Sequence, residues 1–290
     1  MPRSRFFLKG LIKLCVAVAI VVGAVAGYRR ILDPLIDSAF HLGPHASSIV
    51  RRLNIFIALV LSYWTFARAY ERRAPQELLI RSWWTLLGAV AGALSIGVTI
   101  LALYATGHYE LVSLRDFHGI GDIFGLIWIA AVIEEVVFRG ILFRIAEEEI
   151  GTRGALFLSA GVFSVAHVTN TGFRWITLIS VTLAGLMWAL VFLIWRNIWV
   201  VAAHHCCWNA TIFLTGLPLS GEDWHLQAPL ATVSHGSILW TGGAFGPEDS
   251  VLNIAVSIVI CVALWRMARH ARYSPNDSAS PSARIRTSSS

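Results

Sequence analysis

The feature that most limits the fold is a succession of apolar runs, each close to the length a helix needs to cross a bilayer. A hydrocarbon core about 30 Å thick takes roughly 20 helical residues at 1.5 Å apiece. By hydropathy the runs are 11–28, 53–70, 83–105, 120–145, 155–168, 175–195, 198–215 and 251–268. Backbone groups inside lipid must be satisfied within their own segment, so such runs fold as helices. The expectation is an all-α fold, a polytopic transmembrane bundle of about eight helices. Composition agrees, because 14% of the 290 residues are charged and 56% are hydrophobic, where a soluble domain carries roughly 25% charged residues.

The net charge of +6 comes from arginines gathered at run ends. That pattern speaks for topology and a lipid partner, and against nucleic acid. The 216–250 connection has no Lys or Arg, whereas five arginines follow Trp265, so the connection is expected outside and the C-terminal tail in the cytoplasm. Arg29, Arg30, Arg51 and Arg52 run against this rule, since their connection counts as external. The first run also has a reading as a signal peptide, because "MPRSRFFLKGLIK" is a basic start and "AVA" at 24–26 resembles a cleavage site. Four regions follow: an N-terminal span and loop at 1–52, accessory helices at 53–119, a core at 120–268 and a Ser-, Pro- and Arg-rich tail at 269–290, expected to be disordered. Cys15, Cys206, Cys207 and Cys261 fall in apolar runs without CxxC spacing and read as small hydrophobes. The "EEE" at 147–149 reads as a solvated interfacial cluster. Trp83, Trp84, Trp195 and Trp199 lie near run ends and read as interfacial anchors.

One run breaks the apolar pattern. "AVIEEVVFRGIL" places Glu134, Glu135 and Arg139 in the middle of a membrane helix, where each ionised group costs roughly 2.5–3.5 kcal/mol on insertion scales. Glu135 and Arg139 are i and i+4 on one face, which allows them to pair and leaves Glu134 for another task. Three other polar groups stand in other runs. Counted along the helix, Glu134 lies ~16 Å from the end near Ile145, His167 ~18 Å from Ala155, Asn209 ~16 Å from Ile198 and His205 ~10 Å from it. Singly, each has a structural reading: an ion pair for Glu135 and Arg139, interhelical hydrogen bonds for His167 and Asn209. Their common depth favours a site. A buried carboxylate can take a proton from water, an imidazole can position that water, and an amide or second imidazole can donate to an oxyanion. Glu134 is then the general base and His167 its partner, with His205 and Asn209 at the oxyanion and Glu135 with Arg139 in support. His204 points away from His205 and reads as structural.

These residues resemble the motifs of the CAAX prenyl endopeptidase and bacteriocin-processing (CPBP, Abi-like) family of intramembrane proteases. The resemblance is carried by "EEVVFR" at 134–139 (EExxxR), "FSVAH" at 163–167 (FxxxH, opening on Phe163) and "HCCWN" at 205–209 (HxxxN), in the family's order. It implies an all-helical glutamate-dependent endopeptidase whose core is 120–268. Glu134 and His167 would activate water, and His205 and Asn209 would form the oxyanion site. The implied partner beyond the bilayer is a protein or peptide substrate, prenylated in part of the family, and the implied location is a bacterial inner membrane. "GGAFGPEDS" at 242–250 is similar to a loop of some bacterial members and otherwise reads as a turn on Gly246 and Pro247.

One acid and two histidines could also hold zinc. The sequence has no HExxH, and Asn209 suits an oxyanion better than a metal, so the expectation is a site without cofactor. Two other functions fit intramembrane charges. An ion- or proton-coupled transporter predicts repeats and helices broken near the site, yet no proline falls between Pro75 and Pro218. A non-enzymatic immunity or scaffold protein would not need the motifs intact.

Overall fold

The computed structural model describes residues 3–115 and 120–272. Helix α1 (Arg3–Gly27) continues through a π-helical turn, Tyr28–Leu32, into α2 (Asp33–Phe40). Then come α3 (Pro44–Thr65), α4 (Ser82–Ala105), strand β1 (Tyr109–Leu114) and α5 (Ile120–Glu135). A π-helical segment, Val136–Phe143, joins α5 to α6 (Arg144–Ala166), which is followed by α7 (Trp175–Trp195), α8 (Ile198–Leu214), strand β2 (Leu230–Ser234), the short α9 (Ile238–Thr241) and α10 (Val251–Arg272). An all-α membrane bundle is what the apolar runs predict, and among the described residues five helices are long and apolar enough to cross a bilayer, with Ile198–Leu214 a shorter apolar one. Their outer faces are apolar as well: on α4 Leu94 and Leu101 are exposed while Gly88, Gly92 and Ile96 are buried. Such inside-and-outside apolarity belongs to a helix whose solvent is lipid. Cys15 lies on such an exposed face instead of in the core.

Several boundaries differ from the sequence expectation. The first helical course extends past residue 28 to Phe40 and stops at His41, whose φ of 48° is left-handed. Two of the four arginines that run against the charge rule are paired there: Arg51 meets Asp33 at 2.8 Å, and Arg52 binds Asp122 of α5. The runs at 120–145 and 155–168 stay separate helices: Gly151 (φ 74°, ψ 168°) is non-helical, and the chain turns back there, so that Phe163 meets Phe138 with ring centres 4.9 Å apart. "EEE" lies just before that turn and takes part in an ion-pair network. Glu148 meets Lys13 at 2.5 Å and Arg144 at 2.9 Å, and Glu147 meets Arg196 at 2.5 Å. Glu71 lies under this network, bound to Lys13 (2.6 Å), Arg144 (2.6 Å) and Arg73 (2.7 Å). Residues 273–290 of the expected disordered tail lie outside the described residues.

The opposite end is closed by the 216–250 connection, which folds onto the bundle. β2 pairs antiparallel with β1, Tyr109 opposite Ser234 and Leu114 opposite Leu230, with a bulge between Leu111 and Ser113. Phe245, Asp249 and Ser250 are fully buried. Gly246 (φ 109°) makes this possible, since a Cβ there would meet the Pro218 carbonyl oxygen at 1.9 Å. The tightest helix contact is between α4 and α8, where a Cβ on Gly92 would fall 2.0 Å from the His204 carbonyl oxygen. Gly88 and Gly92 form the small-residue stripe that allows the two backbones to approach.

Gly92→Leu is therefore expected to abolish recovery of monodisperse protein in detergent, because the obstacle is backbone; a normal elution profile and melting temperature would contradict this. Burial raises the Glu71 pKa, but Lys13, Arg144 and Arg73 outweigh it and hold the carboxyl below its ordinary 4.5. A depressed acid stabilises the fold fully above that ordinary value and loses its contribution as pH falls through the lower folded value. Thermal melts from pH 7 downward should show this acid limb, and Glu71→Gln should flatten it.

Candidate active site

The site forms where α5 ends. At Glu135 the helix passes into the π-helical segment, a widening that is frequent at functional sites. Glu135 is wholly buried, and its Oε1 accepts from Arg139 Nη1 at 3.0 Å, the pairing expected from their spacing. The same oxygen accepts from His205 Nδ1 of α8 at 2.9 Å. Arg139 is also fully buried, and its Nη2 donates to the Gly185 carbonyl of α7 at 2.9 Å. Its guanidinium lies 4.9 Å from the Phe163 ring centre and 5.8 Å from that of Trp188. Aromatic faces thus compensate part of its lost hydration. Ion pairing alone did not foretell this: one carboxylate oxygen holds α8 by its imidazole, and the arginine it neutralises holds α7.

His205 is further fixed by Trp188, whose ring stacks on it at 3.6 Å between centres and 22° between planes. Trp188 Nε1 donates to His204 Nδ1 at 3.1 Å, which gives His204 a structural partner. Because His205 Nδ1 faces a carboxylate, it carries a proton, and Nε2 is its remaining nitrogen. That nitrogen is 3.9 Å from Glu134 Oε2. Glu134 keeps 28% of its side-chain surface exposed, while its Oε2 is buried without a hydrogen-bond partner.

His167 caps the C-terminus of α6 and directs Nδ1 to the Phe163 carbonyl oxygen at 2.8 Å. A carbonyl can only accept, so Nδ1 is protonated and Nε2 is left for other work. Phe163 spans the two motifs, with ring centres 4.6 Å from His167 and 6.3 Å from His205. Asn209 follows one turn after His205, its Oδ1 buried and unpartnered. Three buried orphan acceptors, Glu134 Oε2, Glu135 Oε2 and Asn209 Oδ1, mark places where a water or substrate group would complete the bonding.

A cavity of about 20 Å³, room for roughly one water, is lined by Phe163, His167, Trp188, His205, Trp208 and Glu248, among others. Glu134 and Asn209 are not in its lining; the first adjoins it through His205. Trp188, Trp208 and Glu248 are absent from the sequence expectation. Glu248 lies in "GGAFGPEDS", whose glycines and proline read as a turn and whose acid, next to Pro247, gave no sign of burial. Among the described residues no group of three or more His, Cys, Asp or Glu is placed to hold a metal ion.

Removing one partner of a buried ion pair leaves the other charge stranded, at a cost of about 3–5 kcal/mol. Arg139→Leu is expected to lower stability by about that much. The double variant Glu135→Gln/Arg139→Leu should lose less than the sum of the singles in chemical denaturation in detergent. Strict additivity would show that the pair is not coupled.

Neither the curated proteins nor the solved structures gave a match to the chain. Residues 116–211 match the family model described as type II CAAX prenyl endopeptidase Rce1-like. The matched stretch, about a third of the chain, contains the EExxxR, FxxxH and HxxxN residues and is similar to that family of membrane proteases.

Proposed function

We propose that the protein is an intramembrane endopeptidase in which Glu134 activates water for attack on a peptide bond. The observation that carries this reading is the unpartnered, buried Oε2 of Glu134 beside His205. Glu134 takes a proton from water, with His167 Nε2 accepting a hydrogen bond from the same water and orienting it. The hydroxide oxygen bonds to the carbonyl carbon, and the carbonyl π electrons move onto oxygen. Asn209, through its side-chain NH₂, and His205, as the imidazolium whose Nδ1–H is held by Glu135 and whose Nε2–H is free to donate, stabilise that oxyanion. Collapse breaks the C–N bond, and the proton held by Glu134 passes to the leaving amine. Glu135 and Arg139 touch no reacting atom and keep the base and the imidazole in place.

The reaction is proposed to need no metal, since protein groups supply base, water partner and oxyanion donors. The end bearing the 216–250 connection is proposed to face outside, with the α10 C-terminus in the cytoplasm. A bacterial inner membrane suits this arrangement. The substrate is proposed to be a protein or peptide whose scissile bond reaches membrane depth, whether or not it carries a lipid.

Wild type, Glu134→Ala, His167→Ala and Glu135→Gln, expressed at matched abundance, provide the test through their membrane peptidomes. Loss of general acid–base catalysis should slow turnover by about 10²–10⁴-fold. The first two variants should therefore accumulate an uncleaved precursor that wild type converts. Identical peptidomes in all four, together with an ion flux lost in Glu134→Ala, would overturn protease function in favour of transport. Inhibition by phenanthroline that zinc reverses would overturn the metal-free mechanism.

A further inference from the structure

The 242–250 segment brings two acids into the bundle from the loop end, and both are used. Asp249 is fully buried and turns to α7, accepting from Ser180 Oγ at 2.5 Å and from Thr177 Oγ1, with Arg174 Nη2 at 3.6 Å. Glu248 turns to the candidate cavity. Its Oε1 accepts from Trp208 Nε1 at 3.2 Å, and its Oε2 accepts from the Ser220 amide at 2.9 Å and the Ser220 hydroxyl at 2.7 Å. Its backbone is held in turn, because Asn253 Nδ2 donates to the Glu248 carbonyl at 3.0 Å and Asn253 Oδ1 accepts from Thr99 of α4 at 3.3 Å. Burial pushes the Glu248 carboxyl up to about 7, against the pull of its Ser220 and Trp208 donors.

A buried acid is costly, and a surface turn does not require one. The position of Trp208 gives it a purpose. This residue lies inside the HxxxN stretch, between His205 and Asn209, and its ring meets Trp188 edge-on at 6.2 Å. Trp188 is the ring stacked on His205. The chain of contacts therefore runs from the Glu248 carboxyl to the Trp208 indole, to Trp188 and to the His205 imidazole, and both ends line the same cavity.

We propose that Glu248 is a positioning residue of the candidate site: carried in by the 242–250 segment, it fixes Trp208 and, through Trp188, the orientation of His205. The proposal rests on the protease reading only for its kinetic consequence. Its geometric consequence stands alone.

The test uses full-length wild type, Glu248→Gln, Glu248→Ala and Trp208→Phe, each with ¹⁵N-labelled histidine in lipid nanodiscs. The His205 signal is assigned by its disappearance in His205→Gln. Glu248→Ala and Trp208→Phe should both move that signal, while Glu248→Gln, whose amide oxygen can still accept from the indole, should move it less. On the precursor identified through Glu134→Ala, Glu248→Ala should lower kcat by about tenfold to a hundredfold, the scale of a small misplacement of reacting groups, with KM within about twofold. Glu248→Gln should recover part of that loss. An unmoved His205 signal in a Glu248→Ala protein that melts near wild type would overturn the positioning role. A moved signal with unchanged kcat would confine Glu248 to the fold and overturn its place in the reaction. If no precursor depends on Glu134, the protease reading fails while the histidine spectra still decide whether Glu248 sets His205.

Discussion

The bundle depends on one carboxylate oxygen. Glu135 Oε1 receives both the Arg139 guanidinium and the His205 imidazole, and all three side chains are buried. In a medium of low polarity neither acid nor arginine could stay charged alone, so each is the condition for the other. Their bonds also cross the structure. Arg139 continues to the backbone of α7 and His205 belongs to α8, so the same charges that make α5 expensive to insert join it to two neighbours. Aromatic rings of Phe163 and Trp188 pack beside the guanidinium, with centres 4.9 and 5.8 Å away.

The π-helical stretch after Glu135 belongs to this arrangement. A regular α-helix offers each carbonyl one neighbour along the chain, and a widened turn loosens that pairing. Here released groups find partners from elsewhere: Ser159 Oγ donates to the Phe138 carbonyl at 3.1 Å, and Tyr63 Oη donates to the Gly140 carbonyl at 3.0 Å. Polar side chains of α6 and α3 thus stabilise an irregular helix in a place where backbone groups cannot turn to water.

Much of this was legible in the sequence because it is local. Apolar runs announce membrane helices, and an acid and an arginine four residues apart announce their own pairing. The remainder depends on how elements rotate and dock. Nothing near His205 reveals that it faces Glu135, since the contact needs the rotation of α8 relative to α5. The β1–β2 ribbon joins segments far apart in the chain, and six residues such as "YELVSL" between two helices carry little pattern of their own. Glu248 was hidden for another reason. An acid beside glycine and proline is what a solvated turn also contains, and only the closing of the loop over the bundle turns it inward. The charged stretch around "EEE" is exposed at Glu148, as a solvated cluster would be, and its ion pairs to other helices were the part that one dimension could not show.

The glycine stripe on α4 has a mechanical consequence. With Gly88 and Gly92 against the backbone of Val200 and His204, α4 and α8 form one stiff beam, and His205, Trp208 and Asn209 ride on it together. The helix that carries Glu134 is tied to that beam directly, because Glu135 Oε1 accepts from His205 Nδ1 at 2.9 Å. The 3.9 Å between Glu134 and His205 is therefore set from both sides, by the α4–α8 pair on one and by the neighbouring carboxylate on the other. Acid and imidazole thus share one frame, and whatever completes their bonding has to come to them.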